Sequence, residues 1–135
     1  MEKITVKAII EIAGFPKEHV EDIMKKVIDK LKEGFNLKDH KIYEAVALKD
    51  KMEGFWSTFS EVDMTFKDMN DMIIFCFEYM PSSIEILNPG ELNFKSNEMN
   101  NLFNDLLSKL HHYDMVVKNL TASNQLLKKQ LDTKA

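Results

Sequence analysis

The amino-acid sequence predicts an α+β fold: an antiparallel sheet in the order β-α-β-β-α-β, with an added long C-terminal helix. Three observations carry this. Apolar residues alternate along 4–12 with the two-residue period of a strand, then switch to spacings of three and four after Pro16. Two runs rich in β-branched and aromatic side chains, 41–49 and 55–67, flank a polar stretch and pair as a hairpin. From Met99 onward the apolar residues keep a seven-residue repeat.

In the first strand Ile4, Val6, Ala8, Ile10 and Ile12 share one face, with Thr5, Lys7 and Glu11 between them. Gly14, Phe15 and Pro16 break it, and Pro16 suits a helix start because its missing N–H would have no intrahelical partner there. Val20, Ile23, Met24, Val27, Ile28 and Leu31 make the apolar stripe of the first helix, and Gly34 is placed to cap its end. In the second hairpin strand Trp56 has the parity of Val62, Met64 and Phe66, whereas Phe55 and Phe59 do not. Either a bulge shifts the register or both faces are partly covered.

Asp68 is placed to cap a second helix whose apolar set is Met69, Met72, Ile73, Cys76 and Met80, and Pro81 stops it. A short strand over 83–87 follows, then the Asn88-Pro89-Gly90 turn and a brief extended piece at 92–94. Ser96 is a good cap for the last helix. This order matches the ferredoxin-like split βαβ arrangement with a helix added at its end. The core expected from these stripes is Ile4, Val6, Ile10, Ile23, Val27, Leu31, Val46, Val62, Met64, Ile73, Cys76, Ile84, Phe103 and Leu106.

The last helix carries the most information. Met99, Phe103, Leu106, Leu110, Tyr113, Val117, Leu120, Leu127 and Leu131 are spaced four, three, four, three, with only Asn124 interrupting. An α-helix has about 3.6 residues per turn, so a strict seven-residue repeat stays on one face only when helices supercoil. Placing Met99, Leu106, Tyr113, Leu120 and Leu127 at d puts Phe103, Leu110, Val117, Asn124 and Leu131 at a. Leu102 and Leu107 widen the stripe before His111, as on a helix lying against its own sheet; beyond Tyr113 it narrows. The expected organisation is a domain over 1–113 that includes the start of the helix, and a coiled-coil-like end over 114–135. Tyr113, Val117, Leu120, Asn124, Leu127 and Leu131 are the expected oligomer interface.

The formal net charge of -4 provides no basic footprint for nucleic acid. A single cysteine, Cys76, has no internal disulfide partner, and no apolar run approaches the roughly 18 to 20 residues that span a bilayer. The N-terminus runs into a strand pattern rather than a signal peptide, so a cytoplasmic protein is expected.

No residue set reads as a complete active site. His111 and His112 with Asp114, or His19 and His40, suggest a metal, but adjacent helical positions point about 100° apart and do not easily share one ion. Cys76 lies on an apolar stripe without an assignable base. Asp63, Asp68, Asp71 and Glu78 lack the spacing of a calcium loop. Phe55, Trp56 and Phe59 could stack on RNA bases, yet the strand lacks the RNA-binding aromatic motif and carries Glu61 and Asp63. No catalytic, cofactor or metal residue is expected, and no nucleic-acid or membrane partner.

Gly14-Phe15-Pro16-Lys17-Glu18-His19-Val20 together with Met80-Pro81-Ser82-Ser83-Ile84-Glu85 resembles small uncharacterised archaeal proteins. That resemblance implies an archaeal cytosolic setting and no known activity. The reading that follows is a non-catalytic interaction or assembly module, homo-oligomeric and most simply dimeric through its C-terminal helix. The alternative is a regulatory domain that binds a small molecule.

Overall fold

A computed structural model describes residues 3–49 and 53–134. The elements are β1 (Ile4–Gly14), α1 (Lys17–Gly34), β2 (Asn36–Ile42), β3 (Val46–Ala47), β4 (Trp56–Phe66), α2 (Met69–Tyr79), β5 (Ser83–Asn88) and α3 (Ser96–Thr133). They fall into two compact units that divide between Leu92 and Asn93.

In the first unit the strands lie in the order β2-β4-β1-β5, with β3 paired beside β4. Every pairing is antiparallel. This is the ferredoxin-like arrangement, with β1 and β4 as the central pair. The register between them runs without interruption from Ile4 opposite Phe66 to Gly14 opposite Trp56. The parity question in β4 is therefore settled without a bulge in this pair. Trp56, Thr58, Ser60, Val62, Met64 and Phe66 share one face, and Phe59 sits on the other. Irregularities fall instead at Leu37/Asp39 in β2 and at Thr5/Val6 against β5.

Ile4, Val6, Ala8 and Ile10 of β1 join Val62, Met64 and Phe66 of β4 in the core. Onto this face α1 presents Val20, Met24, Ile28 and Leu31, all buried at the spacing of one helical stripe. All four belong to the expected stripe, whose other two members, Ile23 and Val27, are only half-buried at its edge. Phe35 follows α1 in extended conformation, its N–H donating to the Leu31 carbonyl at 2.9 Å. Gly34 is thus the last helical residue rather than a left-handed cap. Phe35 places its ring edge-on to Phe66, Phe75 and Tyr79 at centroid distances of 5.8, 5.9 and 6.0 Å.

Asp68 caps α2 as the sequence expects, its Oδ1 accepting from the Asp71 N–H at 2.9 Å. The buried residues of α2 are Met72 and Phe75, while Ile73 and Cys76 are half-buried. Met-Ile-Ile-Phe-Cys-Phe is apolar all round the helix, so periodicity alone could not select the inward face. Met80 ends the helix in the left-handed region, at φ 45°.

The hairpin differs from expectation at its first strand. Extended structure begins at Asn36, five residues early, and breaks over 43–45 before Val46–Ala47 rejoins β4. Thr58 reaches this break from inside, donating to the carbonyl of Tyr43 at 2.6 Å, and Ser60 donates to the carbonyl of Lys41 at the end of β2 at 3.0 Å. Of the expected turn over 50–54, residues 50–52 lie outside the described residues. The piece at 92–94 has no regular structure. Four expected core residues are exposed: Val46, Ile84, Phe103 and Leu106. Val46 lies in the two-residue β3, and Ile84 lies on an edge strand.

Candidate functional site

The second unit is essentially α3, whose 38 residues span about 57 Å at the usual rise. The helix begins one residue earlier than a Ser96 cap would have it: Lys95 is the flanking residue. Its backbone N–H donates to Glu98 Oε2 at 3.3 Å, and its carbonyl accepts from the Met99 N–H at 3.1 Å. Along its length Lys118 pairs with Asp114 at 2.8 Å, one turn away, and Thr121 donates to the Val117 carbonyl at 2.8 Å. None of this satisfies the apolar surface.

No described residue of α3 is buried. Val117, Leu120, Leu127 and Leu131 are exposed by 59, 59, 56 and 71%, and Tyr113 by 39%. Asn124 lies exposed among them. The six residues assigned to an interface thus form one exposed stripe on a continuous helix. Upstream, Phe103, Leu107 and Leu110 extend it, each more than half exposed. An apolar surface of this extent on one helix is unusual for a protein without a partner.

The other residues singled out by the sequence do not converge. His111 and His112 are exposed on α3, His19 is exposed in the first turn of α1, and His40 is half-buried on β2 opposite Val62. Among the described residues no three His, Cys, Asp or Glu side chains are grouped to hold a metal. Cys76 is half-buried against the core, and burial pushes its thiol above the ordinary range, which keeps it protonated at neutral pH.

Phe59 stacks on Tyr43 at 4.3 Å, Phe15 meets Phe55 edge-on at 5.0 Å, and the Lys17 ammonium lies 5.4 Å from the centre of the Trp56 ring. These aromatic faces are engaged within the domain. Across the face of the sheet opposite the core runs a row of Asp39, Asp63, Lys7 and Glu85, more acidic than basic. Such a row repels a phosphate backbone rather than attracting it.

Two surface features escaped the sequence reading. One is a cavity of about 400 Å³ where β4 ends and α2 begins, lined by Lys3, Glu33, Phe35, Thr65, Lys67 and Asp71. Its charges are balanced and its residues come from separate segments, so no local pattern announces it. The other is β5, all six of whose residues are exposed.

A ferredoxin-like sheet and a long, unburied amphipathic helix define an α+β protein whose distinguishing feature is the helix. The chain belongs to the MJ0538 family, whose model matches residues 5–133. It is similar to a protein of Methanocaldococcus jannaschii titled "Uncharacterized protein MJ0538", with 30% identity over 97 residues. The match covers 72% of this chain but only 36% of that protein, so the chain spans about a third of its relative's length. The archaeal resemblance read from the sequence is therefore correct. No solved structure matches the chain. Among the described residues no helix is long and apolar enough to cross a membrane.

Proposed function

We propose that this chain is a non-catalytic, cytoplasmic assembly module that self-associates through α3. The observation that carries the reading is the exposed seven-residue repeat of α3. It runs from Phe103 through Leu131 with Asn124 as its one polar member. Heptad spacing of this kind is matched by a second helix with the same repeat, and another copy of the chain supplies one.

Val117 at a with Leu120 and Leu127 at d is the combination that favours two parallel strands. In that register Lys109 at g faces Asp114 at e of the partner, an exposed pair contributing about 0.2–1 kcal/mol. Burial of the seam supplies the main driving force, roughly 25 cal/mol per Å² of apolar surface before association costs. Light scattering over a range of protein concentrations tests the reading. A dimer supports it, and a monomer at high concentration overturns it.

A further inference from the structure

The cavity where β4 ends and α2 begins holds charges that the chain itself leaves unmatched. Continuing the β1–β4 register one residue past Ile4 and Phe66 sets Lys3 opposite Lys67, so two cations meet where the central strands end. Like charges directly opposite repel, and a bound anion relieves them. Lys67 pairs only loosely with Asp71, at 3.7 Å, and Lys3 has no carboxylate within 4.0 Å among the described residues.

The acidic side complements this. Glu33 lies in the last turn of α1 and, among the described residues, has no cation within 4.0 Å. That end of a helix is the negative pole of its dipole, which disfavours a carboxylate and favours a cation beside it. Lys3 and Glu33 thus line one cavity of about 400 Å³ without pairing to each other. Thr65 is part of the same wall, and its buried Oγ1 has no hydrogen-bond partner among the described residues. A buried hydroxyl left unpaired costs stability, and one χ1 step that turns it to the cavity lets a ligand satisfy it.

We propose that this cavity binds a free amino acid with an apolar side chain, its carboxylate held by Lys3 and Lys67 and its ammonium by Glu33. The class follows from the balance of charge. Lys3 and Lys67 stand against Glu33 and Asp71, so the lining is neutral, and a phosphate would add two negative charges to a site where one lysine is already shared with Asp71. A simple cation would leave the two lysines facing each other. A zwitterion satisfies both sets and brings no net charge. The volume falls within the roughly 300–1,000 Å³ of small-molecule sites. Phe35, half-buried and edge-on to Phe66, supplies apolar wall for the side chain. Every lining residue belongs to the first unit, so this site stands or falls independently of the pairing of α3.

The test is titration of the full chain with L-phenylalanine and with L-leucine, followed by backbone amide NMR. At least one should bind with a Kd of about 1 mM or tighter, with the largest shifts at Gly34, Asn36, Thr65 and Lys67. No binding of either at about 10 mM, or shifts centred elsewhere, overturns the site. The amide of the binding amino acid keeps only the ammonium and its N-acetyl derivative keeps only the carboxylate, so each should bind at least about tenfold more weakly. Equal affinity for either derivative, or tighter binding of inorganic phosphate, overturns the zwitterion.

The charges are then assigned by substitution. Lys3→Met should weaken the amino acid about fivefold and leave the amide derivative unchanged, and Glu33→Gln should weaken it as much and leave the N-acetyl derivative unchanged. Both residues are exposed, so neither change threatens the fold. No loss in either variant, or an equal loss for both derivatives, overturns the assignment.

Discussion

The hydroxyl of Thr58, wholly buried, donates to the backbone carbonyl of Tyr43 at 2.6 Å across the break between β2 and β3. Seven residues along the same strand, Thr65 is also buried, but its Oγ1 has no hydrogen-bond partner among the described residues. The same substitution should therefore act with opposite sign at the two sites. Thr58→Val removes a satisfied bond and should cost about 1–2 kcal/mol, whereas Thr65→Val removes an unsatisfied hydroxyl and should be neutral or stabilising. Urea denaturation of both variants measures the difference, and equal losses would count against the hydrogen-bond assignment.

Phe75 packs against Phe35, Phe66 and Tyr79 and is fully buried, while its neighbour Ile74 is 38% exposed. Phe75→Ala should cost about 3–5 kcal/mol through lost burial and the cavity left behind. Ile74→Ala should cost much less, under about 1 kcal/mol. The ratio of the two in urea denaturation tests which face of α2 points inward.

Lys17 Nζ lies 2.7 Å from Glu44 Oε1 and joins α1 to the segment after β2. The hydrogen bond from Lys17 holds the Glu44 carboxyl below its ordinary value, and the same bond raises Lys17. A depressed carboxyl contributes stability above its unfolded pKa and loses it as the pH falls through the folded value; a raised lysine loses its share as the pH rises through its own. Glu44 is exposed and Lys17 partly so, and solvent screens the pair, so the effect on stability is small. Replacing Lys17 with Met should move the Glu44 titration upward in a carboxyl-carbon NMR experiment, and an unmoved titration would refute the pairing.

Sequence reading succeeded where side-chain pattern and packing agree. The alternation of β1, the stripe of α1 and the cap at Asp68 are all physical signals local to their elements. It failed where a tertiary neighbour decides. Residues 36–40 are too polar to read as a strand, because β2 is an edge whose charges oppose further pairing. Phe75 could not be separated from Ile73 or Cys76 on a helix apolar all round. The parity of Ile84 put it on the core face correctly, but nothing in the sequence says that the helices of the first unit pack over the other strands. On α3 the wider stripe suggested an inward-facing start, yet Phe103 and Leu106 are exposed by 52 and 37%.

Truncation after Tyr113 removes the distal half of the exposed stripe and, among the described residues, none that is buried. The shortened protein should keep the urea midpoint of the strand-helix unit and lose most of its association. Unfolding of the truncated chain would show that residues 114–135 belong to the core.

Asn124 decides the account of α3. At a in a parallel pair its amide meets its own mate, which costs stability but opposes registers and strand numbers that would leave it facing leucine. In an antiparallel pair, or on the side of another domain, it meets a different residue and that role vanishes. The direct measurement is sedimentation equilibrium of Asn124→Ile beside the parent chain. A parallel seam predicts that the variant associates more tightly and no longer holds to a single oligomeric state. An unchanged or more weakly associating variant would contradict it.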